Sequence, residues 1–278
     1  MKKEFHAVLI GNGNMGKRHW ERLQQRGFIF DAVPDSEAEV SNYLLQENAR
    51  RPLIIIASPS PTHFHYAQKF LQKKFPVFVE KPLALSGYEA RTLQQLALKN
   101  ETLLFTGHSE RYHPVFKTLE KKFAAMQAAS VSVHRENQAT GKIYDTDVIF
   151  DLMIHDLYNL LILQKKQTPE IEFAESEDIQ KSARVQLSFP GGFRANIAVS
   201  RDAEKPRRTY TFEDSAGNPE TFSFTPVTNG EDALENEYRT LELYMAQPGE
   251  SHTALETAVL AVETAERILD RIKKSRRN

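Results

Sequence analysis

The sequence predicts an α/β half joined to an α+β half, a doubly wound parallel sheet followed by a mostly antiparallel sheet backed by helices. Three observations carry this reading. Short apolar runs alternate with amphipathic helical stretches over roughly the first hundred residues, the pattern of a sheet covered on both faces. A glycine-rich turn stands between the first such run and the first helix. Beyond it, strands that alternate apolar and polar residues follow one another with glycine turns between them, which suits a sheet with one covered face.

In chain order, Ala7–Ile10 is an apolar run that stops at Gly11, as a strand buried on both faces does. A helical pattern runs from about Gly16 to Gln25, with Gly27 placed as its C-cap. Phe28–Val33 reads as a second strand ending at Pro34-Asp35, Ser36–Arg50 as a helix, and Leu53–Ala57 as a third strand. Thr62 stands where an N-cap belongs for a helix reaching Lys73. Val77–Val79 is a short strand that ends in Glu80-Lys81-Pro82, and a helix over Gly87–Leu98 leads to the strand Leu103–Gly107.

The second half opens with an amphipathic helix, Pro114–Ala124, and a strand, Ser130–Arg135. A helix follows over Val148–Leu163, then strands at Ala183–Phe189, Phe193–Val199, Thr209–Glu213 and Glu220–Phe224. Gly191-Gly192 and Gly217-Asn218 supply the turns. Helices over Asp232–Tyr244 and Thr253–Lys274 finish the chain. The boundary is expected between Gly107 and Pro114, giving a first domain over 1–110 and a second over 111–278.

Composition narrows the function classes. Hydrophobic residues make up 40% and charged residues 26% of the 278, an ordinary balance for a globular chain with a core. A formal net charge of −1 argues against nucleic-acid or anionic-lipid binding. The basic stretch Arg271–Arg277 reads as the solvated end of a helix. Without cysteine there is no disulfide, thiolate nucleophile or cysteine-ligated metal. The apolar run after Met1-Lys2-Lys3 is too short for a secretory signal or membrane span, so the cytoplasm is the expected compartment. On the same ground Asn100-Glu101-Thr102 carries no weight as a glycosylation sequon.

Gly11-Asn12-Gly13-Asn14-Met15-Gly16 is G-x-G-x-x-G between a strand and a helix. Gly11 permits the tight turn, Gly13 admits a pyrophosphate close to the backbone, and Gly16 lets helix and strand pack. The helix N-terminus adds amide donors and the positive end of its dipole. In this βαβ context the motif predicts a Rossmann dinucleotide site. Such a site needs an acid after the second strand for the ribose hydroxyls. Asp35 stands there, with Asp31 a weaker candidate within the strand, and an acid favours NAD over NADP. Asp35 also suits a helix cap, and Arg50 and Arg51 are near enough in sequence to meet a phosphate.

Lys81 follows a strand of the parallel sheet, where the carboxyl ends of strands line the ligand crevice, although a lone lysine is ordinarily a solvated charge. Asp151 and His155 lie four apart on a predicted helix among Phe150, Leu152, Met153 and Ile154. A buried acid and histidine sharing one face are either a structural pair or an acid/base couple. His63 and His65, two apart near a helix start, diverge and have no further ligand beside them, so no metal site is expected.

The order G-x-G-x-x-G, Glu-Lys-Pro, Asp-x-x-x-His resembles the glucose–fructose oxidoreductase / inositol dehydrogenase / MocA family over nearly the whole chain. The resemblance implies an NAD- or NADP-dependent oxidoreductase acting on a sugar or nucleotide-sugar hydroxyl. In it Lys81, Asp151 and His155 form the catalytic set, and Pro82 follows a cis peptide bond. Ser58, Pro59, Thr62 and His63 border the cofactor, and the open face of the second sheet serves for homo-oligomerisation. A narrower likeness, in Gly107-His108-Ser109-Glu110-Arg111-Tyr112-His113-Pro114 and Asp151-Leu152-Met153-Ile154-His155-Asp156, is to the members that oxidise the 3-hydroxyl of UDP-N-acetylglucosamine. It implies that His108, Arg111 and His113 face the substrate. Two departures stand out: the stretch from Asp35 to Leu53 is short for the family, and Pro34 stands near the usual ribose-binding acid. The rival readings are a reductase of a non-sugar carbonyl or tetrapyrrole, and a non-catalytic cofactor-binding regulator on the same fold.

Overall fold

The computed structural model describes residues 5–45, 51–141, 144–224 and 232–276. Its chain divides into two compact units, Met1–Gly107 with Tyr238–Val259, and His108–Glu237 with Leu260–Asn278.

The first unit holds five parallel strands: β1 (His6–Ile10), β2 (Ile29–Val33), β3 (Leu53–Ile56), β4 (Val77–Glu80) and β5 (Leu104–Gly107). Their spatial order is β2-β1-β3-β4-β5, and every neighbouring pair is parallel. Leu53–Ile56 are all fully buried, which explains why β3 shows no alternation in sequence. Helices α1 (Asn14–Arg26), α2 (Glu37–Leu45), α3 (His63–Gln72) and α4 (Gly87–Lys99) provide the crossovers. Gly27 takes the left-handed conformation, φ 71°, and closes α1 as expected. The order reverses between β1 and β3, so the crevice beyond their carboxyl ends is where such a sheet binds ligands.

Among the described residues β2 has no strand on its outer side, and Ile29 is 49% exposed. Trp20 of α1 covers part of this edge, its ring 4.7 Å from that of Phe30. The end of the predicted Ser36–Arg50 helix, including Arg50, lies outside the described residues.

Tyr238–Val259, taken from two later helices, α7 (Ala233–Ala246) and α8 (His252–Ser275), supplies the rest of the first unit. There Arg26 Nη2 meets Glu242 Oε1 at 2.6 Å, Arg91 Nη1 meets Glu256 Oε1 at 3.0 Å, and the rings of Phe105 and Tyr244 lie 5.5 Å apart.

The second unit is built on β6 (Ala128–Glu136), β7 (Glu170–Glu175), β8 (Ser182–Ser188), β9 (Arg194–Ser200), β10 (Arg207–Asp214) and β11 (Pro219–Ser223). The order is β11-β10-β6-β9-β8-β7, antiparallel throughout except for the parallel pair β6–β9. Val131, Val133, Val185, Ile197, Tyr210 and Phe212 fill the buried face. Phe123 of α5 (Pro114–Met126) packs on it, 5.5 Å from Phe212 and 5.8 Å from Phe193. Ser132, His134, Arg184, Gln186 and Asn196 line an open trough on the other face.

β7 has no counterpart in the sequence reading, because it is a mostly exposed edge strand whose register shifts between Ile171 and Phe173, which breaks the alternation. The basic stretch also does more than meet water. Arg271 and Arg276 donate to the carbonyls of Glu172 and Ser176 along this edge, while Arg277 lies outside the described residues.

The expected α-helix over Val148–Leu163 is corrected at its start. Ile149–Met153 is wound as a π-helix, and only Ile154–Leu163 (α6) is α-helical. Isolated π-turns of this kind cluster at functional positions.

Candidate active site

In the first unit the glycine-rich loop joins β1 to α1, with Gly13 as the N-cap of α1. Gly11 has φ +101°, and a Cβ there would lie 2.5 Å from the Ala57 carbonyl oxygen at the end of β3. A Cβ on Gly16 would lie 2.2 Å from the Gly11 carbonyl oxygen. Both glycines are therefore required by the protein's own packing. Gly13 is different, since a Cβ there meets nothing within 4 Å. Its freedom from any packing demand fits a position kept bare for a ligand, and the first amides of α1, at Asn14, Met15 and Gly16, are the natural donors to a pyrophosphate. The residues present fit a dinucleotide.

Asp35 is exposed after β2, and its carbonyl oxygen accepts the Tyr66 hydroxyl at 2.9 Å. The cap of α2 is Ser36, whose Oγ accepts the Glu39 amide at 3.3 Å, so Asp35 is not needed for that task. Glu37 beside it is engaged by Lys69 and by His65, at 2.8 Å from the latter, and these contacts pull its carboxyl down to about 2.

Past β3, Thr62 Oγ1 donates to the Pro59 carbonyl at 2.7 Å and lies 2.6 Å from Ser58 Oγ. It makes no side-chain cap on α3, contrary to expectation, because the 3-10 turn Ser60–Thr62 directs the hydroxyl back into its own loop. His63 is buried, with Nδ1 2.7 Å from the Pro82 carbonyl and Nε2 2.9 Å from the Ser58 carbonyl. It thus joins the loop after β3 to the loop after β4. That second loop carries half-buried Lys81 and the cis Lys81–Pro82 bond. His65 and His63 share no third ligand, and no cluster suited to a metal occurs among the described residues.

In the second unit, Asp151 lies in the π-turn and His155 in the first turn of α6. Both are half-buried rather than buried, while Leu152, Met153 and Ile154 between them fill the core. Asp151 Oδ2 accepts from Arg201 Nη2 at 2.8 Å, a partner 50 residues away that the four-residue spacing could not suggest. The His155 ring lies edge-on to His108, centroids 6.2 Å apart, and His108 stacks on Tyr158 at 3.9 Å. His108, Asp151 and His155 thus share one unit, and Lys81 belongs to the other.

The segment after His108 is firmly held. Glu110 binds Arg135 Nη1 at 2.6 Å, and Arg135, buried on β6, donates to Asp156 from Nε at 2.8 Å and from Nη2 at 2.7 Å. Tyr210 donates to the same carboxylate at 2.7 Å. Burial pushes the Glu110 carboxyl up, but the charges of Arg135, His155 and Arg208 outweigh it and leave the group well below the usual range. Arg111 donates to Glu120 at 2.9 Å and lies 5.0 Å over the Phe116 ring, and His113 Nδ1 caps α5 by accepting the Val115 amide at 3.2 Å. Both residues therefore have structural partners.

Residues 5–108 match the family model described as oxidoreductase family, NAD-binding Rossmann fold. Over these residues the chain is similar to the glucose–fructose oxidoreductase / inositol dehydrogenase / MocA family. It is an oxidoreductase with an NAD(P)-binding fold. A UDP-N-acetylglucosamine 3-dehydrogenase of Acidithiobacillus ferrooxidans is 29% identical over 215 residues, covering 72% of this chain and 68% of that protein. An inositol 2-dehydrogenase of Paracoccus denitrificans is 26% identical over 171 residues, 54% of this chain and 51% of its own length. Among solved structures, GenD2 from gentamicin A biosynthesis, in complex with NAD, superposes with a TM-score of 0.81 at 19% identity, covering 100% of this chain and 95% of that one. That likeness shows the fold. No helix among the described residues is long and apolar enough to cross a membrane.

Proposed function

We propose that this oxidoreductase reversibly oxidises a hydroxyl of a sugar or nucleotide sugar, with the 3-hydroxyl of UDP-N-acetylglucosamine as the first candidate. The observation that carries the reading is the loop after β4. Lys81 stands at the carboxyl end of a central parallel strand, on a loop tied through His63 to the loop after β3. The relative named for UDP-N-acetylglucosamine supports the substrate class.

A nicotinamide, when bound, accepts or returns the carbon-bound hydride. His155 takes the hydroxyl proton as the hydride leaves, work suited to an imidazole near neutrality. Lys81 hydrogen-bonds the same oxygen and steadies its developing negative charge. Asp151, its charge balanced by Arg201, binds a neighbouring sugar hydroxyl or orients His155. His108, stacked on Tyr158, borders the substrate, and Arg111 and His113 shape that border through α5. Asp35, exposed after β2, holds the ribose hydroxyls and favours NAD over NADP. The polar open face of the second sheet pairs copies of the chain, which sedimentation of the wild type tests.

Fluorescence titration with NADH and NADPH, followed by UDP-N-acetylglucosamine with each oxidised cofactor at 340 nm, tests the proposal. Tighter NADH binding and new absorbance are expected. Binding with no turnover on this substrate or on a panel of sugars and nucleotide sugars overturns the substrate class, and no binding of either cofactor overturns the whole reading.

A further inference from the structure

We propose that His19 and Tyr238 are positioning residues for Lys81, acting on it through Glu80. The inference rests on the role proposed above for Lys81.

Glu80 is the last residue of β4 and is buried. Its Oε2 accepts the Lys81 amide at 3.2 Å, and its Oε1 lies 2.8 Å from His19 Nε2. His19 Nδ1 in turn lies 2.8 Å from the Tyr238 hydroxyl, and both His19 and Tyr238 are fully buried. An ionised carboxylate only accepts, so His19 Nε2 donates to it. In the neutral ring Nδ1 then accepts the Tyr238 O–H, and the tyrosine fixes which nitrogen carries the proton. Burial alone pushes the Glu80 carboxyl up. The His19 hydrogen bond, with the charges of Lys81 and His63, reverses that and holds the group below its ordinary value.

Packing confines the His19–Glu80 pair from two further directions. The Phe78 ring meets His19 edge-on, with centroids 5.2 Å apart. Gly107 pairs with Glu80 across β4 and β5, and a Cβ at Gly107 would lie 2.9 Å from Glu80 Oε1 and 2.9 Å from Phe78 Cζ. The bare glycine leaves the side chain its place. His19 belongs to α1, whose N-terminus carries the glycine-rich loop, so one helix bears on both the dinucleotide loop and the backbone of Lys81. Displacement of a reacting group by about 1 Å is enough to cost roughly a hundredfold in rate.

The test uses the full chain with its lysines reductively methylated with 13C, the Lys81 resonance being assigned by its loss in Lys81→Arg. Spectra are compared for wild type, Tyr238→Phe, His19→Ala and His19→Gln, with and without NADH, alongside thermal melts. The Lys81 resonance should move in Tyr238→Phe and further in His19→Ala. It should return towards the wild-type position in His19→Gln, whose amide replaces the donor to Glu80. With a turned-over substrate, kcat should fall about tenfold in Tyr238→Phe at unchanged KM, as loss of one buried hydrogen bond predicts. A Lys81 resonance unmoved in Tyr238→Phe and in folded His19→Ala, with only the melting temperature lowered, overturns the proposal and leaves a plain structural cross-link. If His19→Ala does not fold, Tyr238→Phe alone decides. A wild type that oxidises no sugar defeats the function proposed above, while the Lys81 comparison still decides this one.

Discussion

Arg201 donates from Nη2 to Asp151 Oδ2 at 2.8 Å while its guanidinium carbon rests 3.8 Å from the centroid of the Tyr144 ring. The arginine is the more deeply buried partner, 4% exposed against 22% for the aspartate. Taking away the aspartate leaves a buried cation with only the carbonyls of Thr146, Asp147 and Gln180 and the Gln180 side chain to accept from it; taking away the arginine leaves a carboxylate that water can still reach. Asp151→Ala is therefore expected to destabilise by about 3 kcal/mol and Arg201→Ala by less, measured by urea unfolding. Equal losses would show that the pair is held by packing of the π-turn rather than by charge.

His155→Ala and Lys81→Ala should bind NADH like the wild type yet turn over about a hundred to ten thousand times more slowly. Single-turnover absorbance at 340 nm measures the second quantity and fluorescence titration the first. Normal turnover in either variant removes that residue from the chemistry.

The three glycines of the β1–α1 loop should separate by phenotype. Gly11→Ala and Gly16→Ala drive a methyl into backbone, at 2.5 Å and 2.2 Å, and should lower the melting temperature by several degrees or prevent folding. Gly13→Ala meets no protein atom and should melt like the wild type while binding NADH at least about tenfold more weakly. Unchanged NADH affinity in Gly13→Ala would show that the dinucleotide does not approach this loop.

Acid should unfold the chain through its buried carboxylates. Glu80 and Glu110 both have folded-state values below the unfolded 4.5, so each contributes stability that is fully present above about pH 4.5. That contribution is lost as pH falls below this value towards the lower folded-state values. Asp147 runs the other way: burial raises its carboxyl, so its ionisation opposes folding as pH rises from about 3.8 through the higher folded-state value. Chemical denaturation between pH 6 and pH 3 should show stability falling, less steeply in Glu110→Gln, which no longer titrates.

Much of the fold could be read from the chain because its strands are either continuously apolar, as in β3, or cleanly alternating, as in β8 and β9. The glycine-rich loop was equally legible, since each glycine has a distinct local reason to be there. What escaped were relations that depend on distant residues or on irregular backbone. The π-winding under Asp151 leaves no mark on a periodicity of 3.6, and β7 hides its alternation behind a register shift. Arg201, Arg135 and Tyr238 look like any arginine or tyrosine until the topology brings them to Asp151, Asp156 and His19. His19, three residues beyond Gly16 on the same helix, was the one signal within reach.

His19 and Tyr238 are 219 positions apart, and Glu242 and Glu256 also return to the first unit from the far end of the chain. Translation delivers these partners well after Gly107 has been made, at about 5–20 residues per second. For many seconds the nascent dinucleotide half holds His19 and Glu80 without the tyrosine that completes them. A cut after Gly107 would fix that interim state permanently, so the dinucleotide-binding half of this enzyme is a unit in space but not a unit of the gene.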